Sequence, residues 1–312
     1  MVSDNGHPRP FLKWAGGKRQ LLPALRPYYP DAIGTYFEPF VGSGAVFFDL
    51  WRQGRLAASR AVLSDHNADL IGCYLRLGDA APALVAHLET LAAGHAADGR
   101  AHYYAVRDGA FNPGRRAWRA AGGRAADYPV ALAAMLLYLN RTGYNGLFRQ
   151  NAAGEFNVPA GRYERPRIVD RALLESAAAV VGDPRVQVEH APFDRVLTAA
   201  RAGDFVYLDP PYAPISRTAR FDAYTAQRFS DEDQERLQRA LVALAERGVA
   251  VVLSNSTAPA VTRLYEGNAA ARAAGLRARR IPARRAINSR GDRRGVVDEL
   301  LVTNVRPERS AR

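Results

Sequence analysis

The chain has 312 residues, 48% of them apolar, enough to bury a sizeable core in one large domain or two ordinary ones. A formal charge of +12 predicts a polyanionic partner, although an arginine-rich surface alone gives the same balance. Cys73 is the single cysteine, which excludes an internal disulfide, and the six histidines show no metal-ligand spacing. The first residues show no apolar signal segment. The longest apolar run, residues 131–139, falls short of the ~18 residues a membrane span needs. A cytoplasmic protein with no metal and no membrane contact is the expectation.

In chain order, the first dense stretch is Phe11-Leu12-Lys13-Trp14-Ala15-Gly16-Gly17-Lys18. A Gly-Gly pair beside an aromatic ring and two lysines lets backbone approach a ligand, but an N-terminal arm reads the same way. Residues 36–48 follow as a strand, the turn Gly42-Ser43-Gly44 and a helix start. Glycines there let backbone N–H groups and the helix N-terminus contact a ligand closely. Residues 61–65 form a second short strand ending in Asp65, about twenty residues on, where an acid normally accepts from ribose hydroxyls. The third glycine of a dinucleotide fingerprint is missing, since Phe47 stands there, so S-adenosylmethionine fits better than NAD. Asn67 and its neighbours cap a helix expected through Leu77. Residues 80–139 are helical in pattern, interrupted at 112–127 by a segment rich in Gly, Arg and Ala that reads as an exposed basic loop.

Residues 138–163 carry Asn140, Arg141, Tyr144, Asn145, Gly146, Arg149 and Arg162 in a glycine- and aromatic-rich context. Asn145-Gly146 signals a tight turn, and the composition suits a projecting β-hairpin or a surface loop. Arg149 suits bidentate donation to guanine, and Tyr144 suits stacking at a base step. A helix over 172–180 and a strand at 186–188 follow. Residues 204–208 then read as a buried strand delivering Asp209-Pro210-Pro211-Tyr212 to its C-terminal end, where α/β sheets place ligands. Two prolines stiffen that segment and remove two N–H donors. The result is an acceptor array for a planar amine: a carboxylate, a proline carbonyl and an aromatic face. The four letters alone also fit a rigid surface turn. A helix over 235–245, a strand over 248–253 ending at Ser254-Asn255-Ser256, and strands at 276–281 and 297–302 joined across a basic loop at 288–295 complete the chain.

Together and in this order, the segments 11–18, Glu38-Pro39-Phe40-Val41-Gly42, Tyr138-Leu139-Asn140-Arg141, Gly154-Glu155-Phe156-Asn157-Val158-Pro159 and Asp209-Pro210-Pro211-Tyr212 resemble the Dam family of DNA adenine-N6 methyltransferases. The resemblance covers nearly the whole chain. It implies a Rossmann-like, S-adenosylmethionine-dependent methyltransferase sheet, over residues 1–67 and 186–312. A mostly helical target-recognition insert carrying a β-hairpin would occupy 68–185. By position, Trp14, Lys18, Glu38, Pro39, Gly42, Gly44, Asp65 and Asp209 match cofactor-site residues, and Asp209, Pro210, Pro211 and Tyr212 match the catalytic tetrapeptide. In members that methylate GATC, the residues matching Lys13, Tyr144, Asn145, Leu147, Arg149, Pro159 and Arg162 meet the DNA. Phe148 and the long 112–127 segment depart from that pattern.

The resemblance thus implies site-specific methylation of adenine N6 in double-stranded DNA, with no obligate protein partner. A non-catalytic DNA-binding protein explains the charge but not the intact acceptor tetrapeptide. A nucleotide-cofactor oxidoreductase explains Gly42 to Asp65 but leaves Asp209 to Tyr212 without a role. An RNA or protein amine is also compatible with that tetrapeptide; the residues between Tyr144 and Arg162 favour duplex DNA.

Overall fold

The computed structural model describes residues 7–14, 16–212, 229–284 and 296–307. Strands β1 (Thr35–Glu38), β2 (Arg60–Asp65), β3 (Val186–His190), β4 (Phe205–Leu208), β5 (Ala250–Ser256), β6 (Arg277–Arg284) and β7 (Val296–Thr303) form one sheet in the order β3-β2-β1-β4-β5-β7-β6. The pairs β1–β2, β1–β4 and β4–β5 are parallel, with Tyr36 opposite both Ala61 and Phe205 and with Val206 opposite Val251. β7 runs antiparallel between β5 and β6, setting Val302 opposite Leu253 and Ala278. Strand order reverses between β1 and β4, the switch point at which such sheets take ligands. All four residues of β4 are buried, which is why it reads as an unbroken apolar run.

The chain divides into two compact units, one of residues 1–17, 42–48 and 64–190, the other of 18–41, 49–63 and 191–312. In the first, α3 (Ala68–Ala97) packs along α6 (Val130–Thr142) and α7 (Arg171–Val181), with α4 (Gly99–Tyr104) and α5 (Asn112–Ala120) beside them. Asn67 caps α3 as expected, its side chain accepting from the amides of Asp69 and Leu70. The helix runs past Leu77 to Ala97; instead of ending there it kinks at Ala80 (φ −138°), two residues before Pro82, whose ring and missing N–H disrupt the ladder.

The basic segment at 112–127 is not an exposed loop. Its first nine residues are α5, begun by Pro113, whose missing N–H matters least in a first turn. Arg115 turns inward: its Nε and Nη2 each donate at 2.8 Å to the Asp69 carboxylate, and both side chains are 2% exposed. Tyr128 Oη at 2.9 Å and Arg119 Nη2 at 3.2 Å complete the shell around Asp69. Arginine-rich composition suggests a solvated surface, yet a buried acid distant in sequence draws one arginine into the interior.

The second unit contains α1 (Leu22–Leu25), α8 (Val196–Ala199), α9 (Asp231–Glu246), α10 (Pro259–Tyr265) and α11 (Ala269–Ala273); α2 (Ala45–Arg52) contributes residues to both units. A reciprocal capping box between Ser230 and Asp233 starts α9. Leu237, Leu241 and Leu244 of that helix are fully buried in the cluster that also holds Val206, Leu208, Val251 and Leu253. Fully burying one such side chain contributes about 1.5–3 kcal/mol. β6 and β7 pair as expected; the basic loop at 288–295 between them lies outside the described residues. Among the described residues, no helix is long and apolar enough to cross a membrane and no group of three His, Cys, Asp or Glu side chains could hold a metal ion.

Removing Arg115 leaves the buried Asp69 charge to the half-exposed Arg119 and to Tyr128, so Arg115→Met is expected to destabilise the protein by at most about 3–5 kcal/mol, the cost of a fully stranded charge. The double variant Arg115→Met, Asp69→Leu should recover most of that loss. Urea denaturation of the two proteins measures both effects; a double variant as unstable as the single one refutes the explanation by stranded charge.

Candidate active site

In the second unit, β1 and β4 end side by side at the switch point, bringing Glu38 and Asp209 to neighbouring strand ends. Asp209 Oδ1 lies 2.8 Å from Lys18 Nζ and accepts from Ser254 Oγ at 3.2 Å. Ser254, fully buried on β5, shares a 2.8 Å hydrogen bond with Tyr207 Oη. The Lys18 ammonium also sits 4.7 Å from the centroid of the Tyr212 ring, and Tyr212 Oη donates to Glu299 Oε2 at 2.5 Å. The Pro211 carbonyl accepts from Gln234 Nε2 at 3.3 Å, and Gln234 Oε1 in turn accepts from Asn255 Nδ2 at 2.9 Å. Gln234 and Asn255 are buried, so the tetrapeptide is braced from α9 and β5 by polar groups that have no solvent to bond instead. On β1, Tyr36 Oη donates to Glu38 Oε2 at 2.7 Å.

Burial pushes the Asp209 carboxyl above the usual carboxylate range, opposed by the Lys18 charge and by hydrogen bonds from Lys18 and Ser254. Burial likewise drives the hydroxyls of Tyr207 and Tyr212 well above the ordinary phenol range, with the Asp209 charge acting in the same direction, so both remain protonated donors.

In the first unit, Gly42 (φ +48°) and Gly44 (φ +68°) adopt left-handed conformations in the turn before α2. A Cβ on Gly42 would stand 2.9 Å from Trp14 Cδ1, and one on Gly44 2.8 Å from Tyr74 Oη; neither position accepts a side chain. Tyr74 Oη donates to the Gly42 carbonyl at 3.1 Å. The Gly42 amide donates to Asp65 Oδ2 at 3.2 Å, and the Asn67 amide to Asp65 Oδ1 at 3.0 Å. Burial raises the Asp65 carboxyl, and these two amides pull it back. Two of a carboxylate's roughly four acceptor positions are thus used, and the remainder suits a diol. Phe148 stacks on Trp14 with centroids 5.5 Å apart, so the residue that departs from the family pattern has a packing role. Bare glycine backbone, an indole wall and an acid with spare acceptor capacity fit an adenosyl group.

The same unit holds the expected DNA-reading residues. Tyr144, Asn145, Arg149, Pro159 and Arg162 are exposed and Leu147 is half-buried. Asn145 (φ +54°) and Gly146 (φ +64°) form the expected tight turn, closed by the Leu147 amide on the Tyr144 carbonyl at 3.2 Å. The chain reverses later, where the Asn151 amide donates to the Glu155 carbonyl. The two arms are antiparallel, but the expected β-hairpin is reduced to isolated bridges, Gly143 with Ala160 and Gln150 with Phe156, because glycines and a proline interrupt the ladder. Lys13 is held to this excursion by Asn140, which accepts from the Lys13 amide at 2.9 Å and donates to the carbonyls of Lys13 and Gly146 at 2.7 and 2.9 Å. The Lys13 ammonium lies 4.7 Å from the Tyr163 ring centroid; burial, then the Arg141 charge, lowers its pKa.

Ser254, Gln234, Asn255, Glu299, Tyr74 and Asn140 were not among the candidate site residues. The polar triplet ending an apolar strand marks Ser254 and Asn255 in the sequence, and Asn140 lies in a motif; the other three carry no local signal.

Residues 14–278 match the family described as D12 class N6 adenine-specific DNA methyltransferase. The chain is 37% identical over 301 residues to Type II methyltransferase M1.LlaDCHI of Lactococcus lactis subsp. cremoris, covering 95% of each protein. It is 36% identical to the Type II methyltransferase M.MjaIII of Methanocaldococcus jannaschii, over 95% of this chain and 99% of that protein. The DNA adenine methylase of Escherichia coli K12 is 36% identical over 94% of each chain. With its acceptor tetrapeptide at the switch point of a mostly parallel sheet, this chain belongs to the D12 class of N6 adenine-specific DNA methyltransferases.

Proposed function

We propose that the protein transfers a methyl group from S-adenosylmethionine to N6 of an adenine flipped out of duplex DNA, and that its target is GATC. The observation that carries this reading is the Asp209 array: a partly desolvated carboxylate on a proline-stiffened turn, beside an anchored tyrosine ring. Residues 1–67 and 186–312 would perform the chemistry, and residues 68–185 would read the target. Trp14, Gly42, Gly44 and Asp65 would hold the donor, with Lys18, Glu38 and Pro39 matching further cofactor positions. The donor supplies an electrophilic methyl group on a sulfonium.

Flipping the base costs a few kcal/mol, which stacking on Tyr212 and hydrogen bonds to the base edge offset. Asp209 and the Pro210 carbonyl accept the two N6 hydrogens. Those bonds draw the N6 lone pair out of conjugation with the ring and aim it away from the acceptors. Lys18 occupies one acceptor direction of Asp209 and a face of Tyr212, so an arriving amine meets a carboxylate that is already oriented. A lysine uses one lone pair of several, leaving room for an N6–H. Once methylated, N6 is acidic and sheds its proton without a strong base. Orientation and fixed acceptors supply the rate enhancement. The GATC target is supported by Lys13, Tyr144, Asn145, Leu147, Arg149, Pro159 and Arg162 standing where GATC-methylating members carry their DNA contacts.

The test is incubation with labelled S-adenosylmethionine and two duplexes, one containing GATC and one with only that tetranucleotide scrambled. Label on adenine N6 in the GATC duplex alone is expected, and Asp209→Ala, folded, should lose more than about a hundredfold in turnover. Equal label on both duplexes rejects the target, and an active Asp209→Ala rejects the acceptor role.

A protonated Asp209 donates instead of accepting. Because its carboxyl lies above the ordinary value of about 3.9, kcat/KM should rise with pH along an acid limb displaced upward from that value. Lys18→Met removes the cation that holds the carboxyl down, so the limb should move to higher pH. Between the unfolded and folded values the native state binds the extra proton, so this group's contribution to stability falls as pH rises through that window. A pH–rate profile unchanged in Lys18→Met would show that the ion pair does not tune the acceptor.

A further inference from the structure

Helix α5 lies in the segment that departs from the family pattern, and its side chains converge on one short stretch of backbone, residues 154–156. Asn112 pairs with Phe156 in both directions: its Nδ2 donates to the Phe156 carbonyl at 3.0 Å, and its Oδ1 accepts the Phe156 amide at 2.9 Å. Arg115 Nη1 donates to the Gly154 carbonyl at 3.0 Å while its other nitrogens are fixed on Asp69. Arg119 Nη1 reaches the same Gly154 carbonyl at 3.3 Å, and Arg116 pairs with Glu155. The bonded segment is the returning arm of the excursion, and the next residue is Asn157. Asn157 Oδ1 accepts from Arg149 Nε at 2.9 Å, its carbonyl accepts from Arg149 Nη2 at 3.3 Å, and its amide donates to the Arg149 carbonyl at 3.1 Å.

We propose that α5 is a specificity-positioning clamp, in which Asn112, Arg115 and Arg119 fix residues 154–156 so that Asn157 holds the Arg149 guanidinium in the plane needed to read a guanine. This rests on the proposed reading of DNA by the Tyr144-to-Arg162 excursion. The physical case is one of constraint. Two isolated bridges do not by themselves rigidify two arms, and Arg149 is exposed. A bidentate contact to guanine O6 and N7 has strict angular demands, and a loose guanidinium forms weak bonds with several bases instead of strong ones with one. The clamp supplies the rigidity the ladder lacks. Its anchor is Asp69, in the first turn of α3 and itself fully enclosed, so the reading arm is referenced to the helical body of its own unit.

The experiment measures kcat/KM of wild type, Asn112→Ala and Arg119→Ala on a GATC duplex and on duplexes with each of the other three base pairs replaced in turn. Arg119 is on the surface, so its variant tests the clamp even where Asn112→Ala fails to fold. The expected result is a loss of about tenfold in discrimination at the guanine read by Arg149 for Asn112→Ala, and a smaller loss at the same position for Arg119→Ala, with discrimination at the other positions retained. A purely structural role would lower activity on every duplex alike, and that outcome, or unchanged discrimination in both variants, overturns the clamp while leaving the target reading intact. A wild-type protein that methylates all these duplexes equally overturns both.

Discussion

The site depends on a carboxylate held in a place that disfavours its charge. Asp209 follows a strand whose four residues are all buried, and leaving it there ionised requires compensation that does not consume its acceptor capacity. A bidentate arginine would occupy both oxygens. Lys18, a point charge on a flexible stem, meets one oxygen at 2.8 Å, and Ser254 adds a single hydrogen bond to that same oxygen. The pair offsets part of the desolvation, and both contacts fall on Oδ1, so in the proposed reaction Oδ2 would take an incoming N–H.

The remaining polar residues nearby serve to keep that acceptor where it is. Prolines 210 and 211 restrict the backbone, but a proline turn is free to swing as a unit unless something holds its carbonyls. Gln234 of α9 holds the Pro211 carbonyl and is itself held by Asn255 of β5, and Glu299 of β7 holds the phenol of Tyr212. In the proposed transfer, acceptors fixed in this way would need no reorganisation as charge shifts, which is how preorganised dipoles lower a barrier. The glycine turn of the other unit follows the opposite logic. Its backbone is bare because Trp14 and Tyr74 already occupy the space a Cβ would need, and Asp65 pins its amide.

How much of this was legible in the sequence follows from the range of the interactions. Strands such as β4 and β5 announce themselves through local apolar runs, and the Asn67 cap through its own side chain. The Asp209 tetrapeptide is local too, since its stiffness comes from two adjacent prolines. Glu299 and Gln234 touch the site only after the chain has returned from elsewhere, so nothing near them in sequence marks them. Lys18 sits beside the Gly-Gly pair and reads as a ligand contact of that segment; its contact with Asp209 exists only once β4 is in place. The segment at 112–127 misled for a related reason. Its arginines share the composition of a solvated loop, and the acid that buries Arg115 belongs to the start of a helix read on separate grounds.

The arginines also qualify what the net charge of +12 means. Arg26 is committed to Asp49 at 2.8 Å, Arg115 to Asp69, and Arg141 to the Phe11 carbonyl at 2.6 Å. These guanidiniums are structural and tie distant segments together, those of Arg26 and Arg115 as planar forks that satisfy both oxygens of a carboxylate. The positive charge open to a polyanion is therefore carried by a smaller set, which includes the exposed Arg149 and Arg162. One residue type thus occupies two settings in the same unit, Arg115 buried against Asp69 and the Gly154 carbonyl and Arg149 exposed on the excursion. The two are linked through Gly154 and Asn157, so under the proposed clamp the constraint of a buried ion pair would pass along a few residues of backbone to the exposed Arg149 guanidinium.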